Sequence, residues 1–291
     1  MERTVCCAQS SLRLDFQYRC AYVDYHTPYF VQPEIVETGM SNTARVDKNL
    51  FEESHYLGRP ADADDLIIQR RIRILKSHAE FMDNKASLLE IGCGNGITML
   101  QLAPDFASAT GLEYVDSHRQ TFNMLKDELK VSNAVFLQWD IMASPYVPQA
   151  DRLISFEVIE HLPSEDGVAN YAGSVKKGAL CAFTVPNKWW IFETHGARLP
   201  LLPWNRVPFF SWLPKPIHEK YALARIYTRK RICRLLEKHG FEVLNTSYVT
   251  APMDVVKWPP LKNFLRRYFF GKDTTRNPFK AVSIFVLVRK L

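Results

Sequence analysis

The chain has 291 residues, of which 47% are hydrophobic and 23% are charged, and its formal charge is +6. This length and composition indicate an ordinary globular protein with one large domain or two small ones. No apolar run approaches the roughly 20 residues of a membrane-spanning helix, and the first residues lack the apolar core of a secretion signal, so we expect a cytoplasmic protein. The six cysteines show no C-x-x-C spacing, which argues against a cysteine zinc site or a disulfide framework.

The N-terminal part of the chain divides into an irregular arm and a helix. Residues 1–48 show no sustained hydrophobic period and contain Thr-Pro, Gln-Pro and Thr-Gly breaks, which predict an arm without regular structure. We expect a single domain over residues 49–291. Acidic residues followed by apolar ones between Asp62 and Phe81 predict a helix beside the first strand.

A glycine-rich turn follows the first predicted strand. The apolar run LLEI at 88–91 meets three glycines spaced two apart, Gly92, Gly94 and Gly96, and a helix-forming segment comes next. A buried strand, a tight turn without Cβ atoms and a helix start form a nucleotide-type binding site. The spacing is neither the dinucleotide fingerprint nor a P-loop. On its own the stretch also fits a turn that binds nothing.

The next two predicted strands end beside acidic residues. The second strand ends at Glu113, where a carboxylate can accept both hydroxyls of a ribose. The third ends before Asp140, which can accept from an adenine amino group, while Ile141 can cover the ring. Tyr114 can pack on adenine or belong to the core. Ligands bind at the carboxyl edge of a parallel sheet, so these residues predict an adenosyl cofactor.

The fourth predicted strand runs into the segment FEVIEHL at 156–162. If a helix or helical turn begins there, Glu157, Glu160 and His161 stand at i, i+3 and i+4 and share one face. Two carboxylates and an imidazole can bind a divalent cation such as Mg²⁺ or Zn²⁺, or they can hold His161 as a base. A locally satisfied Glu-His pair is the structural alternative.

An unusual insert, residues 188–227, follows the fifth predicted strand. Its five prolines forbid a continuous helix or central strand, and aromatic residues lie between them. Long irregular inserts are more often binding loops than connectors. We therefore predict a substrate cap whose aromatic residues line an apolar pocket. His195, within the cap, is a second candidate base.

The C-terminal third is basic and aromatic. Thr228 is a predicted cap for a helix that runs to His239, and strands at 241–249 and 281–288 flank a basic aromatic helix or turn at 258–270. From residue 188 to the end there are 20 Lys and Arg against 6 acidic residues, and five of the six tryptophans lie there. This asymmetry predicts a specialised surface, for which we expect peripheral contact with anionic membranes.

Together, the glycine motif, Glu113, Asp140 and the segment LLEKHGFEV at 235–243 resemble class I S-adenosylmethionine (SAM) methyltransferases in order and spacing. The resemblance implies SAM as cofactor and an α/β, Rossmann-like fold. That fold has a seven-stranded, mostly parallel sheet with helices on both faces and an antiparallel last strand, to which the cap is added. The cofactor-binding residues that it implies are Glu90, Gly92, Cys93, Gly94, Gly96, Glu113, Tyr114, Asp140, Ile141 and Phe156.

The segment FEVIEHL is similar to the ubiquinone-biosynthesis O-methyltransferases. In that group the E-x-x-E-H residues are associated with a divalent metal, which implies the ligands Glu157, Glu160 and His161 here. Small-RNA 2′-O-methyltransferases share a similar motif and add a histidine, for which His195 or His218 are candidates. The proline-aromatic insert departs from both groups.

The first group also has an arginine about twenty residues before the first glycine that contacts the SAM carboxylate. In this chain Ile72 falls at that offset, between Arg71 and Arg73.

We therefore expect methyl transfer from SAM to an oxygen or carbon nucleophile of a lipophilic small molecule. A quinone, prenyl or lipid precursor, with or without an anionic group, fits this description. His161 is the first candidate base and His195 the second. The alternatives are an RNA methyltransferase, suggested by the basic aromatic surface, and a non-catalytic partner protein of the same fold. Nothing in the sequence favours one oligomeric state.

Overall fold

The computed structural model describes residues 63–199, 202–204, 208–254 and 256–291. The predicted N-terminal arm and the expected domain boundary at residue 49 lie outside the described residues. None of the helices within them is both long enough and apolar enough to cross a bilayer.

Seven α-helices occur within the described residues. They are α1 (Leu66–Lys76), α2 (Ile97–Leu102), α3 (Arg119–Glu128), α4 (Val168–Gly173), α5 (Lys215–Tyr221), α6 (Arg229–Lys238) and α7 (Pro259–Tyr268). The same part of the chain contains ten strands. They are β1 (Ser87–Ile91), β2 (Ser108–Glu113), β3 (Ala134–Gln138), β4 (Ala150–Phe156), β5 (Val175–Pro186), β6 (Ala197–Leu199), β7 (Leu202–Trp204), β8 (Phe241–Thr250), β9 (Thr274–Thr275) and β10 (Ala281–Lys290).

Eight of these strands form one sheet in the order β3-β2-β1-β4-β5-β10-β8-β9. Strands β1 to β5 pair in parallel, whereas β10 is antiparallel to both of its neighbours. The predicted α/β sheet with an antiparallel last strand is thus confirmed. The eighth strand, β9, is a two-residue edge strand that the sequence did not predict.

Helices cover both faces of the sheet, as predicted. The alternation along β10 shows this, because Ile284 and Val286 belong to one apolar core and Phe285 to the other. The first core takes its helical residues from α4 and α6, and the second takes them from α1, α2 and α3. Burying an aliphatic or aromatic side chain contributes about 1.5–3 kcal/mol, so both layers stabilise the central strands.

The helix before β8 begins where the sequence predicts. The Thr228 hydroxyl accepts a hydrogen bond from the Arg231 N–H, and Ile232, Leu235 and Leu236 of α6 are buried. A hydroxyl at this position satisfies one of the free N–H groups of the first turn.

The cap, residues 188–227, contains more regular structure than the sequence predicts. Strands β6 and β7 form a small antiparallel hairpin, and α5 follows with Pro216 in its first turn, where the missing N–H costs nothing. The cap aromatics do not all point inward. Phe210 is buried, but Phe209 and Trp212 are exposed. The apolar pocket that the sequence predicts for the cap stays a prediction.

Candidate cofactor and catalytic site

The carboxyl ends of β1 and β2 are tied together by the backbone. The N–H groups of Gly92 and Cys93 both donate to the carbonyl of Leu112, at 2.8 and 3.1 Å. On the other side of β2, the Trp139 N–H donates to the carbonyl of Glu113 at 2.9 Å. The ends of β1, β2 and β3 therefore form one continuous edge that carries the predicted cofactor residues.

Each of the three glycines in the turn has a positive φ, but their surroundings differ. A Cβ at Gly92 would lie 2.4 Å from a methyl carbon of Val158, and one at Gly96 would lie 2.3 Å from the ring of Phe122. A Cβ at Gly94 would meet nothing within 4 Å. Gly92 and Gly96 thus allow close packing within the protein, whereas Gly94 borders open space where a ligand can approach the backbone.

Glu113 is positioned by the glycine turn. Its carboxylate accepts from the Gly94 N–H at 2.8 Å and from the Val115 N–H at 3.2 Å. The side chain is nearly buried. Each carboxylate oxygen keeps a second lone pair, so the group can still accept hydroxyl hydrogen bonds.

Two predicted cofactor residues of β1 and its turn are buried beneath this edge. Burial raises the pKa of Glu90 to about 8, with a further rise from the charge of Glu113, while the Met99 N–H opposes the shift. Burial also raises the pKa of the Cys93 thiol. The Cys93 sulfur lies against Gly111, since a Cβ there would be 2.7 Å from it. The Cys93 thiol also donates to the Gly94 carbonyl within the turn at 3.7 Å.

The remaining predicted cofactor residues lie at the ends of β2, β3 and β4. Asp140 is exposed and its carboxylate accepts from the Met142 N–H at 2.8 Å, while Ile141 is buried in the core. Tyr114 is about half exposed and Phe156 is half-buried. These residues lie at the same edge of the sheet, and their contact with a cofactor stays a prediction.

A residue that sequence reasoning did not select also belongs to the site. Arg71 is buried, and its Nη2 atom lies 3.0 Å from Oε1 of Glu157. Its charge also acts on Glu90 and Glu160. Ile72, the residue at the expected offset, packs into the core instead. The sequence already shows Arg71 beside Ile72. Only the rotation of α1 about its axis decides which of the two side chains faces the site.

The segment after β4 forms a short helical turn and not a longer helix, and the sequence allowed either. Glu157 adopts φ +60°, and a single 3₁₀ turn, Ile159–His161, follows it. Glu157 turns toward Arg71, so the predicted triad of Glu157, Glu160 and His161 does not share one helical face. Glu157 still lies near enough to Glu160 for its charge to raise the pKa of Glu160, so the predicted ligand set of Glu157, Glu160 and His161 stays a prediction.

Instead, Glu160 and His161 meet His195 from the cap. One potential ligand atom from each of the three lies within 4.8 Å of the others. The rings of His161 and His195 have centroids 4.9 Å apart, and Nε2 of His195 lies 3.5 Å from Oε1 of Glu160. We call these three residues the acid-histidine cluster. Two of its members were predicted together, and the third, His195, was an open alternative.

Glu160 is fully buried, and few neighbouring groups compensate the negative charge of its carboxylate. By distance and angle, neither carboxylate oxygen of Glu160 has a hydrogen-bond partner among the described residues. Burial raises the pKa of Glu160 well above its usual range, and the nearby charge of Glu157 raises it further. A buried anion of this kind requires a cation or a proton close by.

The other candidate, His218, lies elsewhere in the cap. Its Nε2 atom is 2.7 Å from Oε2 of Glu193, and both side chains are buried. Glu193 also accepts from the backbone N–H of His195 at 3.2 Å and from the Ser211 hydroxyl at 3.3 Å. His218 therefore supports the segment that carries His195 and does not join the acid-histidine cluster.

Arg225, at the end of the cap, fixes the turn from the other side. Its guanidinium donates to the carbonyls of Leu162 and Pro163, and its own N–H donates to the Glu160 carbonyl at 3.1 Å. No sequence pattern indicates this role, because the contact joins residues on opposite sides of the cap.

The chain matches one family of known proteins. Residues 62–246, more than half of the chain, match the family described as a methyltransferase domain. None of the curated proteins compared with the chain matches it.

Several solved structures share the fold. A SAM-dependent methyltransferase from Mesorhizobium loti matches with TM-score 0.53 and 12% identity, over 79% of this chain and 100% of that one. The N-methyltransferase NodS from Bradyrhizobium japonicum WM9, in complex with S-adenosylhomocysteine (SAH), matches with TM-score 0.50 and 12% identity, over 84% and 96%. The 4+2 cyclase SpnF matches with TM-score 0.50 and 18% identity, over 76% and 81%.

Since one of these structures is named a cyclase, the likeness shows the fold and not the reaction. The reaction class rests on the family match, together with the glycine turn and the acids beside it. The chain belongs to the methyltransferase-domain family and is a SAM-dependent methyltransferase.

Proposed function

We propose that this enzyme methylates an oxygen nucleophile, or an activated carbon, of a lipophilic small molecule such as a quinone, prenyl or lipid precursor. The observation that carries the proposal is the acid-histidine cluster, in which a buried carboxylate and two imidazoles converge beside the glycine turn. Oxygen acceptors must lose a proton on methylation, and these groups provide a place for it. The similarity of FEVIEHL to the ubiquinone-biosynthesis O-methyltransferases supports the same class.

In this proposal the edge of the sheet holds the cofactor. SAM supplies an electrophilic methyl group on a sulfonium. Gly94 offers open backbone to the methionine part, and Arg71 offers a guanidinium to its carboxylate. Glu113 accepts from the ribose hydroxyls, while Asp140 and Ile141 contact the adenine. Methyl transfer is a displacement in line, so the main contribution of these residues is to position the reactants.

The acid-histidine cluster removes the acceptor proton. A nitrogen of His161 or His195 takes the proton, and the carboxylate of Glu160 stabilises the resulting imidazolium. At 3.5 Å the contact of His195 with Glu160 is a charge interaction and not a hydrogen bond. It can therefore strengthen when the imidazole becomes charged.

The same atoms fit a divalent metal. The fully buried Glu160 carboxylate lacks hydrogen-bond partners among the described residues, and two imidazoles stand beside it. A donor set of two nitrogens and one oxygen suits Zn²⁺ better than Mg²⁺, which prefers oxygen ligands. Such an ion would lower the pKa of an acceptor hydroxyl bound beside it. In that case the two histidines are ligands, and the proton leaves by another route.

The composition of the cap supports an apolar acceptor. Trp190, Ile191 and Phe192 lead into the segment that carries His195, and they pack in one apolar cluster with Ala251 and Met253. Aliphatic and aromatic surroundings of this kind bind a hydrocarbon tail more readily than a polar polymer.

The acceptor class can be tested directly with methyl-labelled SAM and a cell extract. We expect label in the organic phase with the natural enzyme and at least a hundredfold less with Glu160→Gln, because a positioned acid-base group contributes about 10²–10⁴-fold. Glu242→Gln, an exposed substitution of the same kind, serves as the control. Label in a nuclease-sensitive product would support the RNA alternative and contradict the proposal.

A further inference from the structure

Helix α7 presents an apolar stripe to solvent. The side chains of Trp258, Leu261, Phe264 and Tyr268 are 65%, 39%, 50% and 64% exposed. Spacings of three, three and four residues place them on one side of the helix, starting at its N-cap residue Trp258. None of the residues of α7 is buried. We call these four residues the α7 stripe.

Exposed aromatic residues continue from the α7 stripe toward the cap. The Phe264 ring lies 6.1 Å from that of Phe269, and the Lys280 ammonium lies 5.4 Å from the Phe269 ring. The ring of the preceding residue, Phe279, lies 5.6 Å from the ring of Trp212 in the cap. A soluble surface seldom exposes so many large apolar side chains together, so this face is suited to a partner.

A basic cleft of about 1160 Å³ lies beside α7, at the β8–β9 edge of the sheet. Five cationic side chains line it, namely Arg229, Arg267, Lys272, Arg276 and Lys280, and no acidic residue lines it among the described residues. Five hydroxyl side chains complete the lining, namely Thr246, Ser247, Thr250, Thr274 and Thr275. Tyr268 and Phe269 form the rim toward the α7 stripe.

Three polar groups that line this cleft lack a hydrogen-bond partner among the described residues. They are the buried hydroxyls of Ser247 and Thr250 and the Nε of Arg229. Many cations elsewhere on the surface are paired, as Lys176 is with Asp151. Cations and hydroxyls without acids are the groups that recognise phosphate oxygens.

From this arrangement we propose that the basic cleft and the α7 stripe together bind the surface of an anionic phospholipid bilayer. The cleft takes the phosphate of a lipid headgroup, and the α7 stripe lies at the level of the acyl boundary. Basic residues flank the stripe, with Lys262 on one side and Arg267 on the other, as in helices that lie in a membrane interface. Aromatic side chains prefer this depth because one end is apolar and the other is wet.

The charges of the segment agree with this partner. From residue 257 to 291 there are nine Lys and Arg and one acidic residue, Asp273. Asp273 is itself paired with Arg73 by two hydrogen bonds, at 2.8 and 2.6 Å. An RNA partner would need aromatic rings on an open platform for stacking, whereas here they share one helix side with Leu261. This proposal does not depend on the methyl acceptor.

Sedimentation of the full chain with vesicles tests the proposal. At about 0.1 M salt we expect binding to phosphatidylcholine vesicles that contain phosphatidylglycerol, and little binding to phosphatidylcholine alone. The double variant Lys272→Ala/Arg276→Ala should weaken the binding about tenfold or more. The control, Lys230→Ala/Arg234→Ala on the exposed side of α6, removes the same charge outside the cleft and should have a clearly smaller effect.

The apolar part is tested by Phe264→Ser/Tyr268→Ser, with Met124→Ser, an exposed apolar residue of α3, as control. We expect the double variant to weaken vesicle binding about tenfold or more, and we expect no such loss for Met124→Ser. Four results would overturn the proposal. They are no sedimentation with anionic vesicles, equal losses for the cleft pair and its control, binding of inorganic phosphate but not of vesicles, and binding of RNA oligomers but not of vesicles.

Discussion

His195 of the cap lies 3.5 Å from Glu160 of the turn after β4, measured from Nε2 to Oε1. This contact brings the cap into the acid-histidine cluster, the candidate catalytic site. Glu193 holds the backbone of His195, and the buried His218 holds Glu193 in turn. The cap therefore has a polar core of its own that sets the position of the histidine.

The first prediction concerns metal binding by the acid-histidine cluster. The purified enzyme should retain about one Zn²⁺ per chain by elemental analysis, and Glu160→Gln or His195→Ala should lose it. Glu157→Gln is the informative control, because Glu157 pairs with Arg71 and lies outside the cluster. If the enzyme retains no metal, or if Glu157→Gln loses it as fully as Glu160→Gln, the proposed ligand set is wrong.

The second prediction separates the three glycines. Gly92→Ala should lower the free energy of unfolding by about 3 kcal/mol, because a positive φ and a 2.4 Å approach to Val158 act together. Gly94→Ala should cost only about 1 kcal/mol, since its Cβ meets nothing within 4 Å. The Gly94 variant should nevertheless bind SAM at least tenfold more weakly by calorimetry. Normal SAM affinity in Gly94→Ala would contradict the placement of the cofactor.

The third prediction assigns Arg71 to the cofactor carboxylate. Arg71→Gln should weaken SAH binding about tenfold to a hundredfold, because a charge-assisted hydrogen bond is lost. The affinity for methylthioadenosine, which has no carboxylate, should change much less. Arg73→Gln is the matched control, as Arg73 faces Asp273. Equal losses for both ligands would mean that Arg71 acts only through the structure of the site.

The fourth prediction uses the raised pKa of Glu90. A carboxyl with a pKa of about 8 when folded and an ordinary value of 4.5 stabilises the fold most below pH 4.5. This contribution falls as the pH rises toward 8, by at most about 1.4 kcal/mol per pH unit. Glu90→Gln keeps the shape of the neutral acid without the titration. The variant should therefore match the natural protein at pH 5 and exceed it at pH 8 by about 2 kcal/mol or more.

Denaturant unfolding at both pH values measures this difference. Glu128→Gln, at an exposed position at the end of α3 and outside the site, controls for the general effect of pH on the protein. A difference between Glu90→Gln and the natural protein that does not change with pH would contradict the buried, neutral state of Glu90.

The elements of this fold are predictable because their signals are local. The apolar run at β1, the glycines after it and the cap residue Thr228 each act within a few residues of themselves, and the structure has the corresponding strand, turn and helix. Glu113 could be selected because a parallel sheet brings successive strand ends to one edge. These features needed no long-range packing to be recognised.

The side chains that meet in the candidate catalytic site could not all be predicted from the sequence. Spacing predicted Glu157 as a neighbour of Glu160, and its charge does act on Glu160, but only the folded chain brings Arg71 to Glu157 and His195 to Glu160. Choosing Arg71 over Ile72 required the rotation of α1, where one residue changes the direction by about 100°. The basic cleft likewise joins β8, β9 and α7, which are adjacent only in the folded chain.

The sequence by itself thus determined the α/β sheet, the cofactor edge and the reaction class, since period-two and helical patterns and one glycine motif are short-range properties. Only the tertiary structure decided between His195 and His218. Both histidines lie in the same insert, and sequence distance does not report which imidazole a folded cap brings to Glu160. That choice depends on the Glu193–His218 pair and on the Arg225 contacts with the turn, which form across the whole length of the cap.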